Sequence, residues 1–156
     1  MLKPLASLLL LGLPLLGQAG PLTAIPMQEK GTATFYVTAR VANAEVEFLV
    51  DTGAGYTTLS RDVLERLRRA GVARRTGEIE GVLANGDTCR LNVYRVAAID
   101  IGGGCIVRDV TVAETPAGTR NLLGLSALRK TAPFTFSLQP PRLHLSHCGN
   151  VVAEAE

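Results

Sequence analysis

Apolar and polar residues alternate in short runs along most of the chain, and turn residues bound the runs. Thr34-Phe35-Tyr36-Val37-Thr38-Ala39-Arg40-Val41 alternates well enough for a strand. Ala42-Asn43-Ala44-Glu45 supplies a turn in which Asn43 can take the left-handed conformation. Residues 46–50 return as the second strand of that hairpin, and 55–59 continue as loop and short strand. The period then changes. Val63, Leu64, Leu67 and Ala70 share one face at helical spacing, with Arg61, Glu65, Arg66, Arg68 and Arg69 on the other. Ser60 stands at the N-cap and Gly71 at the C-cap, so a helix is predicted over 61–70 that packs on a sheet and does no chemistry.

Strand-like runs at 78–83 and 88–96 flank Ala84-Asn85-Gly86-Asp87, and Asn-Gly between two such runs is the strongest short hairpin signal. Residues 96–101 read as strand, Gly102-Gly103-Gly104 as a turn, 105–113 as strand and 114–119 as loop. Asn121-Leu122-Leu123-Gly124 enters a short helical stretch at 125–130, and the last hairpin is predicted at 134–138 and 142–145. No repeat or linker interrupts the pattern. It predicts one all-β domain with one to two short helices.

The first residues have another character. Lys3 precedes a 12-residue apolar stretch, 5–16, and Gly17-Gln18-Ala19 follows. A positive start, a short leucine-rich run and small residues at the exit predict a secretory signal peptide over 1–19. A spanning helix needs about 20 apolar residues, so membrane contact is expected only if the leader is retained as an anchor. Residues 20–31, with Pro21 and Pro26, read as an extended N-terminal segment, 32–147 as the folded domain and 148–156 as a polar tail. The expected destination is periplasmic or secreted. Cys89, Cys105 and Cys148 then face an oxidising compartment; three single bridges are possible and the spacing does not choose among them.

Composition narrows the function. With 47% hydrophobic residues the chain can bury a modest core, built of Val, Leu, Ile and Ala because Trp is absent and aromatics are few. A net charge of +2, with no basic block interleaved with aromatics, gives no support for a nucleic-acid surface. Arg66, Arg68, Arg69, Arg74 and Arg75 read as a solvated face. The glycine triplet lacks the following Lys-Ser/Thr of a phosphate loop. His144, His147 and Cys148 are too few for structural zinc, and a catalytic thiol lacks a base elsewhere in the chain. No metal, nucleotide or organic cofactor is implied.

One run carries the chemistry. Glu47-Phe48-Leu49-Val50-Asp51-Thr52-Gly53-Ala54 takes a single carboxylate out of an apolar strand into a Thr-Gly turn. An acid ending a buried strand is costly unless it reaches a cleft or has a partner. Thr52 offers a hydroxyl, and Gly53 a backbone that can approach closely.

Asp51-Thr52-Gly53-Ala54, preceded by Phe48-Leu49-Val50 and followed by Thr57-Thr58-Leu59-Ser60, resembles the active-site signature of retropepsin-like aspartic proteases. Asn121-Leu122-Leu123-Gly124-Leu125 resembles the family's second landmark, paired apolar residues plus glycine. The likeness spans roughly 35–145 and is strongest to the bacterial, exported or membrane-anchored branch. It implies the single-domain retropepsin-like acid-protease fold, a closed β-barrel-like sheet with a flap hairpin. It also implies an aspartic-type endopeptidase in which Asp51 is the catalytic acid. Thr52, Gly53 and Ala54 would support the active-site loop, with the Thr52 hydroxyl bracing two such loops and the Gly53 N–H near the carboxylate. Thr57 would line the groove, and Ala54 with it. Leu122, Leu123 and Gly124 would pack behind the loop. The 84–87 hairpin sits where the family has its flap, a mobile hairpin closing over the peptide, so Val82, Leu83, Ala84, Asn85 and Gly86 would contact substrate.

Aspartic-acid chemistry needs two carboxyls. Asp87-Thr88-Cys89 lacks the glycine and Asp100-Ile101-Gly102 lacks the hydroxyl, so the chain carries one half-site. The family likeness therefore implies a homodimer acting on a peptide or protein substrate. Two departures stand out: Gly55-Tyr56 replaces the acidic residues usual in retroviral members, and the C-terminal hairpin runs beyond their short terminal strand. The alternatives are a non-catalytic peptide- or protein-binding module of the same fold, and a structural envelope domain in which Asp51 is only a turn acid.

Overall fold

The computed structural model describes residues 22–82 and 86–149. The leader expected at 1–19, the proposed flap residues Leu83, Ala84 and Asn85, and residues 150–156 lie outside the described residues.

The chain opens with two short strands, β1 (Thr23–Pro26) and β2 (Gln28–Lys30), then β3 (Thr34–Val41) and β4 (Ala44–Val50). A loop leads to β5 (Thr57–Ser60), which runs straight into helix α1 (Arg61–Arg69). Three long strands follow, β6 (Ala73–Val82), β7 (Thr88–Ile101) and β8 (Cys105–Thr115). After them come β9 (Asn121–Leu123), helix α2 (Leu125–Leu128) with a 3-10 turn at Arg129–Thr131, and the hairpin β10 (Phe134–Leu138) and β11 (Pro141–Leu145). The all-β class with two short helices stands as expected.

Six of these strands close into a ring. β3 pairs with β4, β4 with β9, β9 with β5, β5 with β8 and β8 with β7, and β7 returns to β3 through Ala39↔Ile101 and Arg40↔Asp100. β2 and β6 are added outside the ring. A closed sheet leaves its strands no unpaired edge and one enclosed interior. In β3 the alternation is plain: Phe35, Val37, Ala39 and Val41 are buried while the residues between them face outward. Phe48, Leu59, Ile99, Ile101 and Leu123 fill the core from other strands, and Leu64 and Leu67 of α1 are buried with them.

A second sheet, in the order β1-β11-β10, packs against this body. Phe35 meets Phe136 edge-to-face at 5.3 Å, and Ile25 lies on the β7–β8 turn. That contact explains Gly102: its φ is +64°, and an added Cβ would stand 2.5 Å from Ile25. The residues read as an extended N-terminal approach are thus paired strands of the fold, Thr23–Pro26 on β11 and Gln28–Lys30 on β3. Cys105 is bridged to Cys148, and Gly149 pairs with Ile106, so the chain at the expected start of the tail is fastened to β8; Cys89 is free.

Three local expectations change. The left-handed residue of the β3–β4 turn is Ala42 (φ 52°), because Val41↔Ala44 pairing leaves a two-residue loop whose first position needs it. Ser60 occupies the N-cap of α1 without a side-chain cap bond; its hydroxyl is instead the first cause holding the Asp62 carboxyl below its ordinary range. The other end follows the glycine signal. Gly71 (φ +73°) donates to the Arg68 carbonyl and Val72 to the Leu67 carbonyl, which satisfies the last turn. Glu114, read as the first residue of a loop, is the tenth residue of β8 and pairs with Leu59.

Candidate active site

β4 and β5 are consecutive strands that do not pair with each other. β9 lies between them, parallel to β4 through Phe48↔Asn121, Leu49↔Leu122 and Val50↔Leu123, and antiparallel to β5 at Thr58↔Leu122. Residues 51–56 must therefore arch over the end of β9. The buried run Phe48 and the half-buried Leu49 and Val50 anchor one foot of the arch, and the fully buried Thr57 and Leu59 anchor the other.

The arch is bonded to what lies beneath it. The Asp51 N–H donates to the Leu123 carbonyl at 3.1 Å, the Ala54 N–H to the Asp51 carbonyl at 3.3 Å, and the Leu125 N–H to the Ala54 carbonyl at 2.9 Å. At the far foot the Thr57 N–H donates to Ser126 Oγ at 2.8 Å, and Ser126 Oγ donates to the Thr111 carbonyl at 2.6 Å. Thr57 Oγ1 accepts from the Gly124 N–H at 3.2 Å and donates to the Gly124 carbonyl. Asn121 ties the two strands on either side, accepting from the Ser60 N–H at 2.9 Å and donating to the Glu47 carbonyl.

Gly124 is the residue under the arch. A Cβ there would stand 2.3 Å from the Tyr56 carbonyl oxygen and 2.8 Å from that of Ala54, so only glycine lets the loop sit this close. Its φ of −97° is ordinary; the demand is for space.

Asp51 is half-buried at the start of the arch, and its Oδ1 accepts the Gly53 N–H at 2.9 Å. That bond fixes the carboxylate's orientation from within the loop. Thr52 and Gly53 are exposed and Ala54 is half-buried, all on the same arch. Leu122, Leu123 and Gly124 come beneath it. Thr57 does not line a groove: it is fully buried, and its hydroxyl is spent on both backbone groups of Gly124. Its expected place in the substrate groove is corrected to a place in the frame.

Val82 and Gly86 lie elsewhere, on the β6–β7 hairpin, where Val82 pairs with Thr88 and is 74% exposed. Gly86 has φ +88°. A hollow of about 380 Å³ is lined by Gln28, Tyr36, Arg40, Glu45 and Asp100 among others and includes no residue of the arch. Among the described residues no cluster suited to a metal ion occurs.

Sequence reasoning missed Ser126 and Asn121 as members of the frame; neither carries a signal beyond its place near Leu-Leu-Gly. It also missed Glu114. This acid ends the apolar run Val110, Val112, Ala113, all fully buried, and is itself only 9% exposed. The argument that singles out Asp51 applies to it unchanged: a buried acid at a strand end needs a partner. Glu114 has three. Arg61 Nε donates at 2.7 Å, the Tyr94 hydroxyl at 2.9 Å and Asn92 Nδ2 at 3.1 Å. Burial pushes the Glu114 carboxyl up, but the bonds from Arg61, Tyr94 and Asn92 together outweigh it and hold the group below its ordinary range.

A family model described as "gag-polyprotein putative aspartyl protease" matches residues 37–130, which span the arch, the hairpin and β9. Among solved structures, a retropepsin-like aspartic protease from Rickettsia conorii superposes with a TM-score of 0.56 at 21% identity, covering 80% of this chain and 90% of that one. No curated protein matches the chain.

Proposed function

The chain belongs to the gag-polyprotein aspartyl protease family and has the retropepsin-like fold, and on that footing we propose that it is an aspartic-type endopeptidase working as a homodimer. The observation that carries this reading is the Asp51 carboxylate, delivered by an apolar strand to a half-buried position and oriented by the Gly53 N–H on a braced loop. A binding surface has no need of an acid held in this way. One chain supplies one such acid, so Asp51 of a second copy, related by a two-fold axis, completes the pair.

Two carboxyls brought together by that axis cannot both ionise, and the pair shares a proton. The ionised Asp51 takes a proton from a bound water as its oxygen attacks the scissile carbonyl carbon. The protonated Asp51 gives its proton to the carbonyl oxygen, and a tetrahedral diol forms. The Asp51 that took the water proton then gives it to the amide nitrogen while the other Asp51 takes a proton from a diol hydroxyl. The C–N bond breaks, an amine and a carboxylic acid leave, and the pair again shares one proton. No metal is needed for any of these transfers.

Thr52, exposed on the arch, is assigned to the contact between the two copies. Val82 and Gly86, with Leu83, Ala84 and Asn85 between them, are assigned to a flap over the bound peptide, where lids exclude water. The exposed Val82 supports a preference for apolar side chains beside the cut. Export to the periplasm or beyond is the proposed location, supported by the leader pattern at 1–19 and by the Cys105–Cys148 bridge.

Incubating the purified chain with a mixed peptide library, beside Asp51→Asn, tests the activity. Cleavage that disappears in the variant and falls on dilution supports a dimeric aspartic protease. A folded dimer that cuts nothing rejects it in favour of a binding module.

A further inference from the structure

The β6–β7 hairpin changes character part of the way along. From Val93 to Val96, β7 is held on both sides, by β6 and by β8, whose register with it begins at Val93↔Ala113, and at Asp100 and Ile101 it is held by β3 and β8. From Thr88 to Asn92 it pairs with β6 alone, through Asn92↔Glu78 to Thr88↔Val82. The hairpin thus leaves the sheet between Asn92 and Val93.

Two features coincide with that point. The β6 register slips between Arg75 and Gly77, opposite Tyr94 and Val93, so a β-bulge lies on the edge strand where the hairpin departs. Bulges bend the strand that carries them, and here Gly77 adds backbone freedom, with nothing within 4 Å of an added Cβ. The second feature is Glu114, the residue after Ala113 and so the first of β8 beyond the shared register. Its carboxylate grips Asn92 on the hairpin side of the exit and Tyr94 on the sheet side, while Arg61 anchors it from α1. Arg75, beside the bulge, reaches across to Asn92 Oδ1 at 2.9–3.0 Å and to Glu78. Arg68 lies over the Tyr94 ring at 5.9 Å. A polar hollow of about 270 Å³ separates α1 from the hairpin root, lined by Arg61, Leu64, Glu65, Arg68, Asn92, Tyr94 and Glu114.

We infer that Glu114 is a positioning residue: its carboxylate clamps a hinge at Arg75–Gly77 and Asn92–Tyr94 and so sets how readily the outer hairpin, 78–82 and 88–92, swings away from the body. The chemistry favours this. A carboxylate accepting three hydrogen bonds, one from a guanidinium, is a strong and directional tie. It joins β8 and α1 to β7 on both sides of the exit. The consequence for peptide turnover rests on the proposed role of this hairpin as a flap; the hinge itself does not.

Amide hydrogen exchange on the full chain tests the hinge without reference to activity. Two variants are compared with the wild type: Glu114→Gln, which keeps the shape but loses the charge, and Asn92→Ala, which removes the hairpin-side bond to Glu114 together with the Arg75 bonds to Asn92 Oδ1 and leaves Arg61–Glu114–Tyr94 intact. Both are expected to raise exchange of the outer-hairpin amides by roughly tenfold, the worth of one or two such bonds, with β3, β4 and β8 unchanged within about twofold. An unchanged hairpin in Asn92→Ala, or a rise shared equally by every strand, overturns the inference and leaves Glu114 a stabilising residue only. If the wild type cleaves peptides, the same variants raise KM while kcat changes less. If nothing cleaves, the endopeptidase reading fails, and the exchange pattern alone still decides the hinge.

Discussion

The backbone of the Asp51 arch is bonded to β9 and α2 along its length, whereas the outer β6–β7 hairpin pairs strand to strand and is tied at its root by Arg75 and the Glu114 carboxylate. Two glycines mark the contrast. Gly124 lies beneath the arch, where a Cβ would meet backbone at 2.3 Å; Gly86 lies beyond β6 with open space around it and a φ of +88°. One region is built so that a carboxylate cannot wander, the other so that a strand pair can. A site that must fix a reacting group and still admit a long substrate needs both, and the fold keeps them on separate stretches of chain.

The sharpest way to break the comparison is at the carboxylate. Asp51→Asn keeps an oxygen for the Gly53 N–H but removes the group that exchanges protons, so peptide cleavage is expected to fall by about a thousandfold or more. Thermal unfolding should move little, because the arch's backbone bonds do not involve that side chain's charge. A variant that keeps more than a few per cent of activity in the library assay would remove Asp51 from the chemistry.

The next largest effects separate the two glycines. Gly124→Ala forces Tyr56 and Ala54 carbonyls out of place and is expected to cost about 3 kcal/mol, as overpacking against rigid backbone does. Gly86→Ala meets no neighbour and carries only the left-handed backbone penalty, about 1–2 kcal/mol, borne by the hairpin. Thr57→Val comes below Gly124→Ala: it leaves both backbone groups of Gly124 without the hydroxyl they share, for about 1–3 kcal/mol. Urea unfolding of the three variants checks the order. Equal losses at 124 and 86 would mean that the arch is not the rigid partner.

Much of this was legible in the residues. Period-2 alternation in β3 and β4, the helical face of α1 and the Asn-Gly turn each rest on local rules, and a local rule survives folding. Asp51 was legible because an acid at the end of an apolar strand is an anomaly. What stayed hidden depends on which strands become neighbours. Thr57 reads as a groove residue until β9 is seen to insert between β4 and β5 and turn its hydroxyl onto Gly124. Ser126 and Asn121 are ordinary polar residues in sequence and bridges in space. Glu114 carries the same anomaly as Asp51, but Thr115-Pro116 follows it and makes the stretch read as loop. Its three partners come from α1 and β7, 53, 22 and 20 residues away, and no local pattern reports such distances.

The smallest effect is the one that titrates, and it falls on the hairpin's root and not on the arch. Glu114 has a folded-state pKa below its ordinary value of 4.5, because the bonds from Arg61, Tyr94 and Asn92 favour the charged form more than burial disfavours it. The unfolded chain therefore takes up this proton first as the solution is acidified. The stability Glu114 contributes is fully present above about pH 5 and is lost as the pH falls through the folded value. Glu114→Gln cannot titrate, so it should be less stable than the wild type at pH 7 and approach it below pH 4. Asp62, whose carboxyl is also lowered, with the Ser60 hydroxyl as the largest cause, titrates in both proteins and cancels in the difference. Melting temperatures of the pair at pH 7, 5 and 3.5 read the narrowing directly. Hydrogen exchange at the same pH values then assigns it: outer-hairpin amides should lose protection on acidification in the wild type and much less so in Glu114→Gln, with the arch amides Asp51 and Ala54 following the global stability in both. A gap that stays constant with pH would mean that the Glu114 charge does not secure the hinge, and that Asn92 and Tyr94 are held there by packing.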